Sequence, residues 1–127
     1  MLKVTVLDKK DAVNCPFRDV IDRIGDKWTL LVLVVLEDGP ARFTEIKRTI
    51  GDISQKVLTK TLQELEADGY LTRTAFDQSP PKVVYELTDM GCSVLTPITA
   101  LVEWAEENHD DIRKNRSAYQ RKRSKQT

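Results

Sequence analysis

Ser54, Gln55, Lys56, Thr59, Lys60 and Gln63 place hydroxyl, carboxamide and ammonium groups along ten consecutive residues that contain no carboxylate. This set suits hydrogen bonding to phosphate oxygens and base edges. Glutamine binds adenine bidentately and lysine donates to guanine, so Gln55 and Lys56 are the expected base readers. Ser54, Thr59 and Lys60 are expected on phosphate. Gln63 lies far enough along the segment that plain solvent exposure is favoured for it. The acids Glu64, Glu66 and Asp68 follow only at the far end. In a helix, lysines early and acids late oppose the macrodipole. Chance charge order on a solvated face is the competing reading, and the flanking elements must decide.

Other chemistry finds little footing. His109 is the single histidine and has no paired nucleophile in sequence. No glycine-rich phosphate loop, metal-ligand spacing or carboxylate pair stands out. No catalytic residue, metal or cofactor is expected, and the chain does not read as an enzyme. Cys15 and Cys92 form no metal or disulfide framework. Cys15 precedes a proline-started helix with Arg18 nearby, the kind of position where a thiol gains reactivity. A buried, inert thiol is the blander alternative and the favoured one.

The elements that must position these groups follow from periodicity. Leu58, Leu62 and Leu65 recur at i, i+4, i+7 with Val57 alongside, giving one buried stripe of a helix running from Ser54 to Asp68. Ser54 suits its N-cap and Gly69 the left-handed residue after its end. Phe43, Ile46 and Ile50 predict a short helix from about Thr44, and Gly51-Asp52 turns the chain between the two. Short helix, tight turn and a second helix with a polar leading edge make a helix-turn-helix at about 44–68. Two β-branched and aromatic runs, Tyr70–Phe76 and Val83–Leu87, joined by Asp77–Lys82, then predict a hairpin over about 70–87. A hairpin directly behind a helix-turn-helix is a wing. The fold class is mainly α with a small β-hairpin. Arg42, Arg73 and Lys82 are expected to flank the groove as phosphate clamps.

Upstream, Leu2, Val4 and Val6 alternate with Lys3 and Thr5, suggesting a strand or extended arm within residues 1–14. Pro16 starts a helix carrying Phe17, Val20, Ile21 and Ile24. The run from Trp28 to Leu36 is apolar enough to be a buried strand, but its length from Lys27 to Asp38 favours a helix enclosed on all sides. Thr88 can cap a last helix over about 89–108, kinked at Pro97. Its apolar residues Val94, Leu95, Ile98, Leu101, Val102, Trp104 and Ala105 span roughly half its circumference, wider than one small domain needs. A partner subunit is the economical explanation. The body is therefore read as 15–108 and residues 109–127 as a basic tail, either a DNA-contacting extension or, with slight preference, a frayed solvated end.

At 127 residues with 31% charged and 40% apolar content, one domain with a modest core is expected. No apolar run is long enough to span a bilayer, and the N-terminus lacks a signal-peptide layout. A reducing cytoplasm is the simplest home. Zero net charge argues against a generic nucleic-acid coat but leaves room for a reader whose positive charge is local.

The ordered set Cys15-Pro16, Ile24–Leu31, Asp38–Phe43, Ile53–Thr59, Leu65–Leu71, Pro80–Thr88 and Gly91 resembles the HxlR-type winged helix-turn-helix transcription regulators, relatives of the MarR group. The resemblance covers about residues 15 to 105. It implies a homodimer that binds a pseudo-palindromic double-stranded operator and regulates a nearby gene. The helix from Ser54 would be the recognition helix, Asp77 to Lys82 the wing, and the first and last helices the dimerisation helices. The family includes thiol-based redox sensors with a cysteine at the position of Cys15, which implies an oxidant or small-molecule effector. The chain departs from the pattern in its basic tail and in a wing tip that holds Asp77 and a single cation, Lys82. A winged helix used only for protein interaction, without DNA binding, is the competing function.

Overall fold

A computed structural model describes residues 15–125, so the arm at 1–14 lies outside the described residues. By contact, the chain divides into two compact units, one ending at Leu95 and the other beginning at Thr96.

The first unit opens with α1 (Pro16–Ile24), which has Pro at its first position, Asp19 in its first turn and Arg23 in its last. Both charges complement the helix dipole. Helix α2 (Lys27–Val35) follows and tightens into a 3₁₀ turn at Leu36–Asp38, where Gly39, at φ 135°, ends it. Thr29, Val32, Leu33 and Leu36 are buried, while Leu31 and Val34 remain about 40% exposed, at 41% and 40%. The expectation of a helix covered on every side is therefore corrected. Helix α2 packs on α1, α3 and α4, and such a thin layer of neighbours covers only part of its circumference.

Helix α3 (Phe43–Ile50) begins one residue before the expected Thr44, with the Arg42 backbone N–H donating to Glu45 Oε1 at 3.0 Å. Gly51, at φ 92°, makes the turn that no β-carbon favours. Helix α4 (Gln55–Ala67) starts under the cap predicted for it, Ser54 Oγ accepting from the Val57 N–H at 3.1 Å. It closes with a paired lock: Tyr70 N–H donates to Leu65 O at 2.9 Å and Gly69 N–H to Glu66 O at 3.0 Å, with Gly69 at φ 83°. This Schellman arrangement satisfies carbonyls that the helix end would otherwise orphan. Leu58, Leu62 and Leu65 are buried as their spacing requires, together with Ile46 and Ile53.

Strands β1 (Leu71–Phe76) and β2 (Lys82–Leu87) pair antiparallel, Leu71 opposite Leu87 and Phe76 opposite Lys82. The Ser79–Pro80 peptide in the connecting loop is cis. Ala41 adds a bridge to Tyr85 through two backbone hydrogen bonds of 3.0 and 2.8 Å, so the hairpin is stitched to the segment entering α3. Thr88 then fastens the far side: its hydroxyl donates to Gly69 O at 2.6 Å and accepts from the Gly91 N–H at 3.1 Å. Gly91 is there because space demands it; a β-carbon would lie 2.0 Å from Tyr70 O. One turn thus fixes the end of α4, the hairpin and the start of the last helix.

Helix α5 spans Asp89–Lys125 and continues through Pro97. The predicted end near Asn108 is corrected. Beyond it the chain has no Gly or Pro, and it is rich in strong helix formers. Asp110 precedes Lys114 at i, i+4, and the cations of the last turn complement the dipole. Residues 113–125 are therefore helical and exposed, not frayed.

Candidate nucleic-acid interface

The leucine stripe of α4 faces the core, which leaves Ser54, Gln55, Lys56, Thr59, Lys60 and Gln63 exposed. At ~100° per residue, Gln55, Lys56, Thr59, Lys60 and Gln63 share an arc of ~140°. Ser54 spends one lone pair on its cap and keeps its hydroxyl proton for a second partner. Lys60 Nζ lies 3.9 Å from Glu64 Oε1, and its side chain is otherwise open to solvent.

The three remaining predicted residues divide into two places. Arg73, on β1, lines a recess of about 410 Å³ with Thr59, Gln63 and Glu66, so it extends the exposed face of α4 sideways. Arg42 and Lys82 meet in another recess, of about 430 Å³, between the start of α3 and the hairpin, with Glu45, Thr74 and Glu86. The Lys82 ammonium sits 5.6 Å from the centre of the Phe76 ring, a cation–π contact that steadies it at the base of the loop. The flanking cations thus fall in two separate recesses, Arg73 beside α4 and Arg42 with Lys82 between the start of α3 and the hairpin.

The acids at the far end of α4 have a partner that periodicity does not show. Arg23 of α1 reaches Glu64 at 2.7 Å and Asp68 at 2.5 Å. These carboxylates, Asp68 first, hold the guanidinium above its already high ordinary pKa. Glu64 and Asp68 therefore anchor α4 to α1. The only advance sign was an arginine in the last turn of α1, since its partners lie 41 and 45 positions away.

Cys15 caps α1 in an extended conformation and is half-buried; it and Cys92, exposed on α5, are both free thiols. Among the described residues, no group of three or more His, Cys, Asp or Glu could hold a metal ion. Among the same residues, no helix is long and apolar enough to cross a membrane.

A helix-turn-helix followed by a two-stranded wing defines a winged helix-turn-helix regulator. Residues 23–113 match the model of the HxlR-like helix-turn-helix family, and the chain belongs to that family. It is 41% identical over 101 residues to YtfH, an uncharacterised HTH-type transcriptional regulator of Escherichia coli (strain K12), covering 80% of each chain. The solved structure of ytfH from Salmonella typhimurium matches with a TM-score of 0.74 and 39% identity, over 81% of this chain and 92% of that one. The redox regulator HypR in its oxidized form matches with a TM-score of 0.70 and 40% identity, over 74% and 97%. The protein is an HTH-type transcription regulator, not an enzyme.

Proposed function

We propose that the protein is a sequence-specific DNA-binding regulator that acts in the cytoplasm as a homodimer on a pseudo-palindromic operator. The observation that carries this reading is the acid-free, exposed leading face of α4, held outward by its leucine stripe. In the major groove, Gln55 and Lys56 read base edges. Ser54, Thr59 and Lys60 hold phosphates beside them, and Arg42, Arg73 and Lys82 clamp the backbone at either side. A two-fold dimer sets the two half-sites about one helical turn apart, ~34–36 Å. The partner copy covers exposed apolar residues that a monomer leaves wet: Phe17, Val20 and Ile21 on α1, and Leu101, Val102 and Trp104 on α5. Sedimentation at micromolar concentration should show a dimer, and a monomer there contradicts this assembly. A salt-dependent gel shift of duplex DNA separates this reading from a winged helix used only for protein contacts.

Cys15 gives the regulator its input. Its place at the start of α1, on the element bearing the apolar face, and the similarity to a redox regulator support a thiol response. Peroxide, quinone or aldehyde treatment should change operator affinity in the wild type and leave Cys15→Ser unaffected. Identical responses in the two proteins remove this role.

A further inference from the structure

Residues 113–125 of α5 carry Arg113, Lys114, Arg116, Arg121, Lys122, Arg123 and Lys125 without one acid, and every one of these positions is exposed. The rest of the chain has the opposite balance. Residues 1–112 hold 13 Lys and Arg against 20 Asp and Glu, a net charge of −7, and the last fifteen residues bring the total to zero. A body of that charge is repelled by a polyanion at long range, whatever its local fit.

The cations are also arranged. Arg113, Lys114 and Arg121 line one shallow recess with Ser117, edged by Asp110, and Arg121 and Lys125 line the next along the helix. At ~100° per residue these four cations share one face. On another side the Arg123 guanidinium lies 5.9 Å from the centre of the Tyr119 ring. Thirteen helical residues span ~20 Å, a length over which duplex DNA presents a phosphate charge about every 1.7 Å.

We infer that this face of α5 is a second DNA contact, made to phosphates and indifferent to base sequence. It rests on the DNA-reading assignment of α4 and adds the attraction that the acidic body lacks. Duplex DNA is the favoured occupant over a lipid surface because a membrane-lying helix needs an apolar face opposite its charges. Ala118 and Tyr119 are the only apolar residues in the segment, and Tyr119 is covered in part by Arg123.

The test uses the full chain with Arg113→Gln, Lys114→Gln, Arg121→Gln and Lys125→Gln together, since glutamine keeps helix propensity while removing charge. The probe is a random-sequence duplex of about 40 bp, titrated from about 50 to about 200 mM salt. The variant should bind about tenfold or more weaker at low salt, and its log–log salt slope should fall by up to about 3.6 per protomer, near 0.9 for each of the four phosphate contacts removed. An unchanged slope overturns the inference. So does a variant that keeps wild-type DNA binding but loses binding to phosphatidylserine vesicles. Wild-type protein that binds the random duplex, loses slope in the variant, yet shows no preference for any duplex selected from a random pool removes the assignment of α4 instead, so the two failures are distinguishable.

Discussion

Helix α4 and the last turns of α5 both present cations to solvent, in opposite order relative to the helix dipole. In α5 the bases lie at the C-terminal end, where the dipole favours them, and the segment needs no neighbour to hold its charge order. In α4 the lysines lie early and the acids late, against the dipole. That arrangement is sustained from outside, by buried leucines beneath and by Arg23 across the acids. The difference teaches where to look for function. A charge order that costs stability and is propped up by tertiary contacts points to a ligand at that very face. One that the helix favours by itself tells little until the charge of the whole chain is considered.

The contrast can be broken most strongly at the packing beneath α4. Leu62→Ala should cost ~2–5 kcal/mol in urea unfolding, the range for emptying a filled leucine site, whereas Tyr119→Ala on the exposed α5 should stay within ~0.5 kcal/mol. Similar losses at the two positions would erase the distinction. Gly91→Ala tests the turn that fixes the end of α4. Its methyl group would meet Tyr70 O, and the strain should lower stability by ~1–3 kcal/mol in the same assay. Arg23→Ala removes a partly exposed clasp and should cost ~1 kcal/mol or less. In a Glu64→Gln, Asp68→Asn background that cost should vanish, and an undiminished loss would mean that Arg23 acts through other contacts.

The smallest effect is one of pH. Burial first, and then the charge of Asp68, raise the Tyr70 phenol above its ordinary value. A raised folded pKa means that stability from neutral Tyr70 is fully present below the unfolded value of about 10. It is lost as pH climbs through the folded one. Tyr70→Phe should therefore flatten the alkaline limb of a stability-versus-pH curve, and an unaltered limb would contradict the burial argument.

Periodicity carried much of this molecule. The i, i+4, i+7 leucines of α4, the Ser54 cap, the Gly69 stop and the change to alternation after it were legible because each is a local signal. Three features were not. The clasp from Arg23 to Glu64 and Asp68 joins residues distant in sequence. The bare side of α2 depends on how many neighbours surround it, which an all-apolar run does not encode. The length of α5 is hidden because a cationic tail reads as a solvated end, although Arg, Lys, Gln and Ala are good helix formers and no Gly or Pro follows Asn108. The helical period of the sequence already puts the polar α4 side chains on one exposed face. The division of the flanking cations, Arg73 beside Thr59 and Arg42 with Lys82, needed the hairpin register.

The central claim is that the first turns of α4 read bases. Its most direct test is to select an operator from a random duplex pool with the wild type, then measure Gln55→Ala and Lys56→Ala on that operator and on random DNA. Each variant should lose ~1–3 kcal/mol on the operator and little on random sequence, relaxing the preference. Equal loss on both duplexes would contradict base reading by these residues.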